Sequence, residues 1–201
     1  MNISKKTAHI IFTILMFLPV GTLYATTGSI GVTSNYVFRG DSRSNDQLAI
    51  QGGAEFGSSL YGGIWASQVG NGTASGLEMD GYVGLRGKLF GPLGFDLGGV
   101  SYQFTNNVYT SFTEYYLGFT VSKASLKIFN NTNGGSYTDF RAMWGFGGAM
   151  MMFHFGSNSG GTDFKLEASE ELIGLMFSAA ATYENRGTST TKIFVGAKKE
   201  F

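Results

Sequence analysis

Cysteine is absent from this chain of 201 residues. Its absence excludes a lipid anchor on a processed amino-terminal cysteine, a disulfide framework, and every thiolate metal or redox site. Proline occurs only at Pro19 and Pro92, and no proline-rich or strongly charged linker divides the chain. The sequence therefore predicts one domain without covalent cross-links.

Charge and long apolar runs are also scarce. Charged residues make up 14% of the chain, whereas they account for about a quarter of a soluble domain. Beyond the amino terminus, no segment approaches the roughly 18 uninterrupted apolar residues of a membrane-spanning helix. By contrast, 15% of the residues are aromatic and 31 are glycine. This composition is typical of a bacterial outer-membrane β-barrel.

The amino terminus resembles a secretory signal. Lys5 and Lys6 precede an apolar run over 8–18, and Ala25 offers a small residue at a cleavage site. The run is too short to span a bilayer, which disfavours the alternative of an uncleaved anchor. The sequence predicts a signal peptide over 1–25 and a barrel domain over 26–201.

Segments with alternating apolar and polar residues recur from end to end, and 77–89 is the clearest. Its odd positions are apolar or glycine, and its even positions carry four charges and a tyrosine. Because side chains alternate faces along a strand, one face is apolar and the other is charged. Similar segments predict about twelve strands, at 29–39, 47–57, 60–68, 77–89, 93–104, 112–121, 124–130, 138–145, 148–155, 162–169, 172–183 and 191–201.

The predicted connections alternate in length. Short breaks at 58–59, 91–92, 122–123, 146–147 and 170–171 alternate with longer polar ones at 40–46, 69–76, 105–111, 131–137, 156–161 and 185–190. This alternation is expected of an outer-membrane barrel with both termini in the periplasm, and a soluble sandwich has no reason to show it. The sequence therefore predicts an all-β, transmembrane, antiparallel up-and-down barrel. Its outer loops are expected to be too short to form a large plug.

The charged face is expected to line the lumen. An arginine or lysine facing lipid near the bilayer midplane costs about 2–4 kcal/mol, so a single one decides the orientation of its strand. Three segments resist assignment: 60–68 is apolar on both faces, Gly98-Gly99 predicts a bulge beside Asp96, and 150–152 is all methionine. The predicted pore-lining residues are Arg39, Glu78, Asp80, Tyr82, Arg86, Lys88, Glu114, Lys127, Asp139, Arg141, Asp163, Lys165 and Glu167.

The predicted strand directions separate the lumenal charges. They place Glu78, Asp80, Glu114, Asp139 and Asp163 near the outer mouth. Lower in the lumen come Arg86, Lys88 and Lys127, while Arg39 and Arg141 remain among the acids. Because charge rings set selectivity, this arrangement predicts a narrow, cation-preferring pore with an acidic vestibule.

Catalytic and metal-binding readings carry less support. His154 is the only histidine beyond the predicted signal peptide, and no neighbour in sequence suggests a nucleophile or an orienting group. Glu78 with Asp80, or Asp163 with Glu167 and Lys165, could hold a divalent ion or an acid–base pair. The alternative is a set of internal ion pairs, since buried charges need partners. We predict no enzymatic activity and no cofactor.

The chain carries a set of motifs at Tyr36-Val37-Phe38-Arg39-Gly40, Gln51-Gly52-Gly53, Tyr61-Gly62-Gly63-Ile64-Trp65-Ala66-Ser67, Glu78 with Asp80 and Tyr82, and Glu114 with Tyr115. Together they resemble the TorF-type porin family, a conserved group of outer-membrane barrels also known as Gcw_chp. The similarity is specific over about 28–120, although Asn35 replaces an expected acid and Asp41 an expected small apolar residue. It implies an outer-membrane barrel and brings no substrate or catalytic residue.

The leading functional hypothesis is a monomeric outer-membrane channel for small polar solutes or ions. A non-conducting barrel with a filled lumen and a structural or surface-interaction role is the alternative, and a hydrolase is disfavoured. The expected partners are outer-membrane lipid, and periplasmic chaperones and the barrel assembly machinery, which recognise a terminal aromatic such as Phe201. Removing Lys5 and Lys6 leaves 12 basic and 14 acidic residues, which argues against a nucleic-acid partner.

Overall fold

The computed structural model describes residues 25–201, so the predicted signal peptide, apart from Ala25, lies outside the described residues. The described chain is almost entirely β-strand, with one short 3-10 helix at Thr105–Asn107. Its strands are β1 Ala25–Thr33, β2 Val37–Phe38, β3 Asp41–Ser42, β4 Ala49–Gly57, β5 Leu60–Gly70, β6 Ser75–Phe90, β7 Leu93–Phe104, β8 Phe112–Val121, β9 Ala124–Asn131, β10 Ser136–Phe146, β11 Ala149–Asn158, β12 Gly161–Leu172, β13 Leu175–Arg186 and β14 Thr188–Glu200.

Twelve of these strands close into one antiparallel barrel, in which each pairs with its neighbours along the chain. Strand β14 returns to β1, where Ser29 lies opposite Glu200 and Thr33 opposite Gly196. Two backbone bonds between Gly28 and Phe201, of 2.8 and 3.0 Å, extend this ladder to the last residue. Closure leaves no unpaired edge in the barrel sheet, which confirms the predicted architecture. No helix among residues 25–201 is long and apolar enough to cross a membrane.

Contacts between strands that are not neighbours identify the inner face. The Tyr61 hydroxyl on β5 donates to Asp96 on β7 at 2.6 Å, and Lys127 on β9 reaches the same carboxylate at 2.5 Å. Such contacts pass over an intervening strand, which is possible only across the concave side. The other face carries exposed apolar side chains such as Leu77 and Leu117. The charged face is therefore the lumen, and the apolar face points outward.

The segments that resisted assignment follow the same alternation. No register shift interrupts the pairing of β7 at Gly98 and Gly99, so the expected bulge there is wrong. A Cβ on Gly98 would lie 2.6 Å from the Tyr116 hydroxyl and closer still to the Val83 carbonyl oxygen. The close neighbours of position 98, and not a bulge in the strand, therefore favour glycine there. In β11, pairing with β10 places Met150 and Met152 on the lumenal face with His154.

The first predicted strand, 29–39, and its loop at 40–46 are wrong. Strand β1 ends at Thr33, and residues 34–48 form a long connection, the first loop, that carries the small β2–β3 hairpin. Arg39 and Gly40 have φ of 53° and 85°, values that a strand cannot accommodate. Apolar residues at 36–38 therefore do not continue the strand.

Most outer connections are shorter than predicted, because their hairpins continue farther. The remaining ones are 71–74, 105–111, 132–135, 159–160 and Gly187. At the other end, the turns at 58–59, 91–92 and 122–123 agree with prediction, and two more fall at 147–148 and 173–174 instead of 146–147 and 170–171. The long and short alternation is therefore pronounced only at the first loop and at 105–111.

Candidate functional site: the lumen and the first loop

The first loop folds into the barrel. Asn35, Tyr36 and Ser44 are buried. The Asn35 side chain donates to Asp46 at 2.7 Å and accepts from Ser42 at 2.7 Å and from Ser44 at 3.2 Å. These bonds fix the shape of the loop from within. Asn35 is one of the two departures from the family motif, and its hydrogen-bond partners all lie within the first loop.

Aromatic packing joins the loop to the barrel wall. The Tyr36 ring meets Trp65 edge-on with centroids 5.3 Å apart, and Phe38 meets Tyr102 at 5.8 Å in the same geometry. Edge-to-face pairs of this kind contribute about 0.5–1.5 kcal/mol beyond their area burial. The outer half of the lumen therefore contains an apolar core. Its members are Tyr36, Ala49, Val69 and Val108, with Phe38, Trp65, Ala74, Phe104 and Tyr109 packed against them.

Arg39 ties the loop to the wall half-way round the barrel. Its guanidinium donates to both carboxylate oxygens of Glu114, at 2.8 and 2.6 Å, and lies 4.0 Å from the centroid of the Tyr137 ring. Arg186 on β13 donates to the Arg39 carbonyl at 2.7 Å. Arg39 thus reaches the lumen from the loop and not from a strand. The outer loops were expected to be too short to form a large plug, yet the first loop enters the lumen and packs against its wall.

The predicted acids of the outer mouth are brought together, and most are paired. Asp139 forms a two-bond ion pair with Arg141, at 2.9 and 2.7 Å. The imidazole of His154 lies between Asp139 and Asp163, at 3.6 and 3.5 Å. Arg186 bridges Asp163 at 3.6 Å and Glu184 at 2.9 Å. Ion pairing therefore offsets much of the predicted acidic vestibule.

His154 belongs to this network through its two aspartates and Tyr137, whose ring also stacks on the imidazole. Besides the two aspartates, its Nε2 lies 3.3 Å from the Tyr137 hydroxyl, which itself donates to Asp163 at 3.0 Å. These partners hold the ring in place, and no serine or threonine hydroxyl among the described residues is bonded to it. The geometry is that of an internal polar network.

Glu78 and Asp80 differ from the other outer acids. Both lie on the lumenal face of β6 beneath the first loop, and neither has an ion-pair partner within 4.0 Å among residues 25–201. The internal ion-pair interpretation therefore applies to Asp163, Lys165 and Glu167 but not to this pair. No group of three or more potential metal ligands occurs in the described part of the chain.

The inner half of the lumen is more open. Arg86 pairs with Glu55 at 2.8 Å, and their side chains are 43% and 24% exposed. The Tyr82 hydroxyl donates to the same glutamate at 3.3 Å, and Lys165 pairs with Glu167 at 2.9 Å. Lys88 is exposed near the inner end of β6. The predicted basic character of this half is thus moderated by acids.

Several charged residues of the lumen, Glu184 among them, lie outside the predicted pore-lining set. Glu55 and Asp96 lie on the inward parity of their strands and could have been found by alternation alone. Arg43 and Arg186 fell in regions predicted as loops, where parity carries no information. Their lumenal role depends on where the first loop and the β13–β14 hairpin lie in space.

A closed twelve-strand barrel with an apolar outer belt and a charged, ion-paired lumen defines the class of outer-membrane-type β-barrels. Residues 21–172 match the family described as "Bacterial protein of unknown function (Gcw_chp)", and the chain belongs to this family. The Gcw_chp resemblance is thereby confirmed, while the TorF-type name stays a prediction. No curated protein matches the sequence.

Solved structures share the fold. The KdgM porin aligns with a TM-score of 0.62 and 10% identity, covering 88% of this chain and 99% of its own. The KdgM porin in complex with disordered oligogalacturonate aligns with a TM-score of 0.61 and 8% identity, covering 87% and 98%. The outer membrane phospholipase OMPLA of Salmonella typhi, a dimer with bound calcium, aligns at 0.54 and 12%, covering 94% and 96%. At these identities the likeness concerns the fold alone.

Proposed function

We propose that this protein is an outer-membrane channel for small polar solutes or ions, and that the first loop forms its constriction. The observation that carries the proposal is the Arg39–Glu114 ion pair, which holds the first loop across the lumen beside its apolar core. A barrel that needed only a filled interior could pack apolar side chains there, since buried ion pairs add little net stability. A non-covalent tether across a polar lumen suits a passage that can widen.

The ion pairs at the outer mouth affect the ion selectivity of the proposed channel. Because Arg39, Arg141 and Arg186 offset the acids around them, the field at the outer mouth is weaker than an unpaired acidic ring would create. We therefore expect cation preference to be modest. The fold shared with the KdgM porins supports a porin-like role without indicating the solute.

A non-conducting barrel is the second candidate, and one observation favours it. Glu78, Glu114, Asp163 and Ser67 are each less than 2% exposed, so the outer half of the lumen is tightly packed around the first loop. In that case the barrel would serve a structural or surface-interaction role. OMPLA shows that a related fold can also carry hydrolysis, which makes a lipase assay with a His154→Ala comparison worthwhile.

Single-channel recording on the refolded protein in planar bilayers decides between the two candidates. Small, resolved conductance steps in the unaltered protein support the channel, and larger steps when residues 35–46 are replaced by a short glycine–serine link support the first loop as its constriction. If neither protein gives conductance steps, the filled barrel is the correct description. Membrane fractionation of the full chain tests the outer-membrane localisation, and a protein that stays soluble without detergent would contradict it.

A further inference from the structure

Glu78 and Asp80 form an acidic pair on one face of β6. Two residues apart on a strand, they point to the same side. On β5 they lie opposite Ser67 and Trp65, and on β7 Tyr102 lies opposite Asp80. None of these three neighbours carries a formal charge. The pair therefore sits between uncharged walls, with the first loop above it.

The pair lacks the hydrogen-bond donors that two carboxylates need. Glu78 is 1% exposed, and its Oε2 is buried without a partner, as is Oδ1 of Asp80. The other predicted acids of the outer mouth, Glu114, Asp139 and Asp163, each have an arginine partner. Burying two ionised carboxylates side by side without donors is strongly unfavourable, because both desolvation and mutual repulsion oppose it.

The groups that face the pair do not supply a second cation. Arg43 of the first loop interacts with Glu78 through charge, yet its guanidinium lies over Phe38 and Tyr109, 5.1 and 4.5 Å from their centroids. Arg39 is engaged by Glu114. The remaining facing groups are neutral, and they are Tyr36, Ser67, Trp65, Tyr102 and Tyr109.

Tyr36 stays neutral beside the pair. Burial, followed by the charges of Glu78 and Asp80, holds the pKa of the Tyr36 hydroxyl well above its ordinary value. Tyr36 therefore keeps its proton and can donate one hydrogen bond to Glu78. One donor and one distant arginine leave a carboxylate oxygen on each acid unsatisfied.

We propose that Glu78 and Asp80 together bind one proton and form a proton site beneath the first loop. A proton taken from solvent adds to one carboxylate, and the resulting O–H group donates to the other. This satisfies one unpaired oxygen and lowers the charge of the pair from two to one. The two acids titrate as a unit, since each sets the charge that the other meets.

If the protein is the proposed channel, the proton site makes its conductance depend on pH. Loss of the shared proton at higher pH restores two like charges under the packed aromatic residues of the first loop. Their repulsion and their demand for water loosen that packing. Conductance is therefore expected to rise with pH.

Infrared spectroscopy of the full refolded chain in detergent tests the proton site directly. The unaltered protein should show the carbonyl band of a protonated carboxyl group at a pH where exposed carboxylates are ionised, and the band should shift in deuterated solvent. Glu78→Gln and Asp80→Asn should each abolish it. Glu167→Gln, which alters an acid already paired with Lys165, should leave it unchanged. Absence of the band from the unaltered protein, or its persistence in both variants, overturns the proposal.

A conductance titration separates the site from the channel. A rise of conductance with pH that Glu78→Gln removes and Glu167→Gln retains supports the effect on the first loop. If the infrared band behaves as expected and conductance is absent, the proton site stands and the proposed channel fails. If conductance is present but does not depend on pH, the site stands and its effect on the loop is overturned.

Discussion

Replacing Arg39 with alanine removes the contact that carries the proposed constriction. Glu114, which is 2% exposed in the unaltered protein, loses both bonds from the guanidinium and keeps the Tyr102 hydroxyl at 3.4 Å. The change also removes the stacking of the guanidinium on Tyr137. The bond from Arg186 to the carbonyl of residue 39 involves the backbone and can persist.

The expected cost follows from burial. Arg39 and Glu114 are 15% and 2% exposed, so the value of about 0–1 kcal/mol for exposed pairs does not apply. Removing one partner of a buried pair costs about 3–5 kcal/mol, because the remaining charge is left without compensation. If this cost lowers the free energy of docking of the first loop, a change of about 3 kcal/mol shifts the ratio of docked to undocked loop by roughly 100-fold.

Three measurements check this expectation. Urea unfolding in detergent should show the loss, limited proteolysis should cut within 34–48 faster, and single-channel steps should become larger. Adding Glu114→Gln to Arg39→Ala should recover much of the stability, because the orphaned charge is gone. The control is Arg86→Ala, whose pair with Glu55 is more exposed, at 43% and 24%, and should contribute about 1 kcal/mol or less.

A small effect would refute the tether. If Arg39→Ala lowers stability no more than Arg86→Ala, and proteolysis of the first loop is unchanged, the ion pair does not hold the loop. The loop would then be held by its aromatic contacts with the wall, and the reasoning on the constriction would fail.

Three further predictions concern the wall, each checked by urea unfolding of the refolded barrel. Leu117→Arg places a charge on the outward face of β8 and should cost about 2–4 kcal/mol in lipid vesicles, whereas a loss below 1 kcal/mol would contradict the assigned orientation. Lys199→Leu, at the end of β14, should change stability by about 1 kcal/mol or less, since its amine reaches the Gly174 carbonyl at the interface, and a larger loss would mean that this contact matters. Gly156→Ala should cost about 1–3 kcal/mol because its Cβ would collide with the Tyr137 hydroxyl, while Gly145→Ala, which meets nothing within 4 Å, should be nearly neutral; equal effects would contradict the packing.

Local pattern determined the wall of this barrel. In 77–89 the strict alternation of apolar and charged residues places Glu78 and Arg86 on one side and Leu77 and Leu85 on the other, and the barrel follows the same assignment. A strand repeats every two residues, so each short segment contains its own information about faces. Strand ends are less certain, since hairpins can extend into polar sequence, as at 131–137 and 185–190.

The filling of the lumen was decided by tertiary structure. Tyr36-Val37-Phe38 continues the alternation of β1, and only the positive φ of Arg39 and the space inside the closed barrel turn it into a loop. Arg39 and Glu114 are 75 residues apart in sequence, so no local periodicity relates them. Local periodicity likewise does not predict that Glu78 and Asp80 lack an arginine partner. Parity places both acids in the lumen, but which acids receive an arginine depends on how the loop and β13 meet across it.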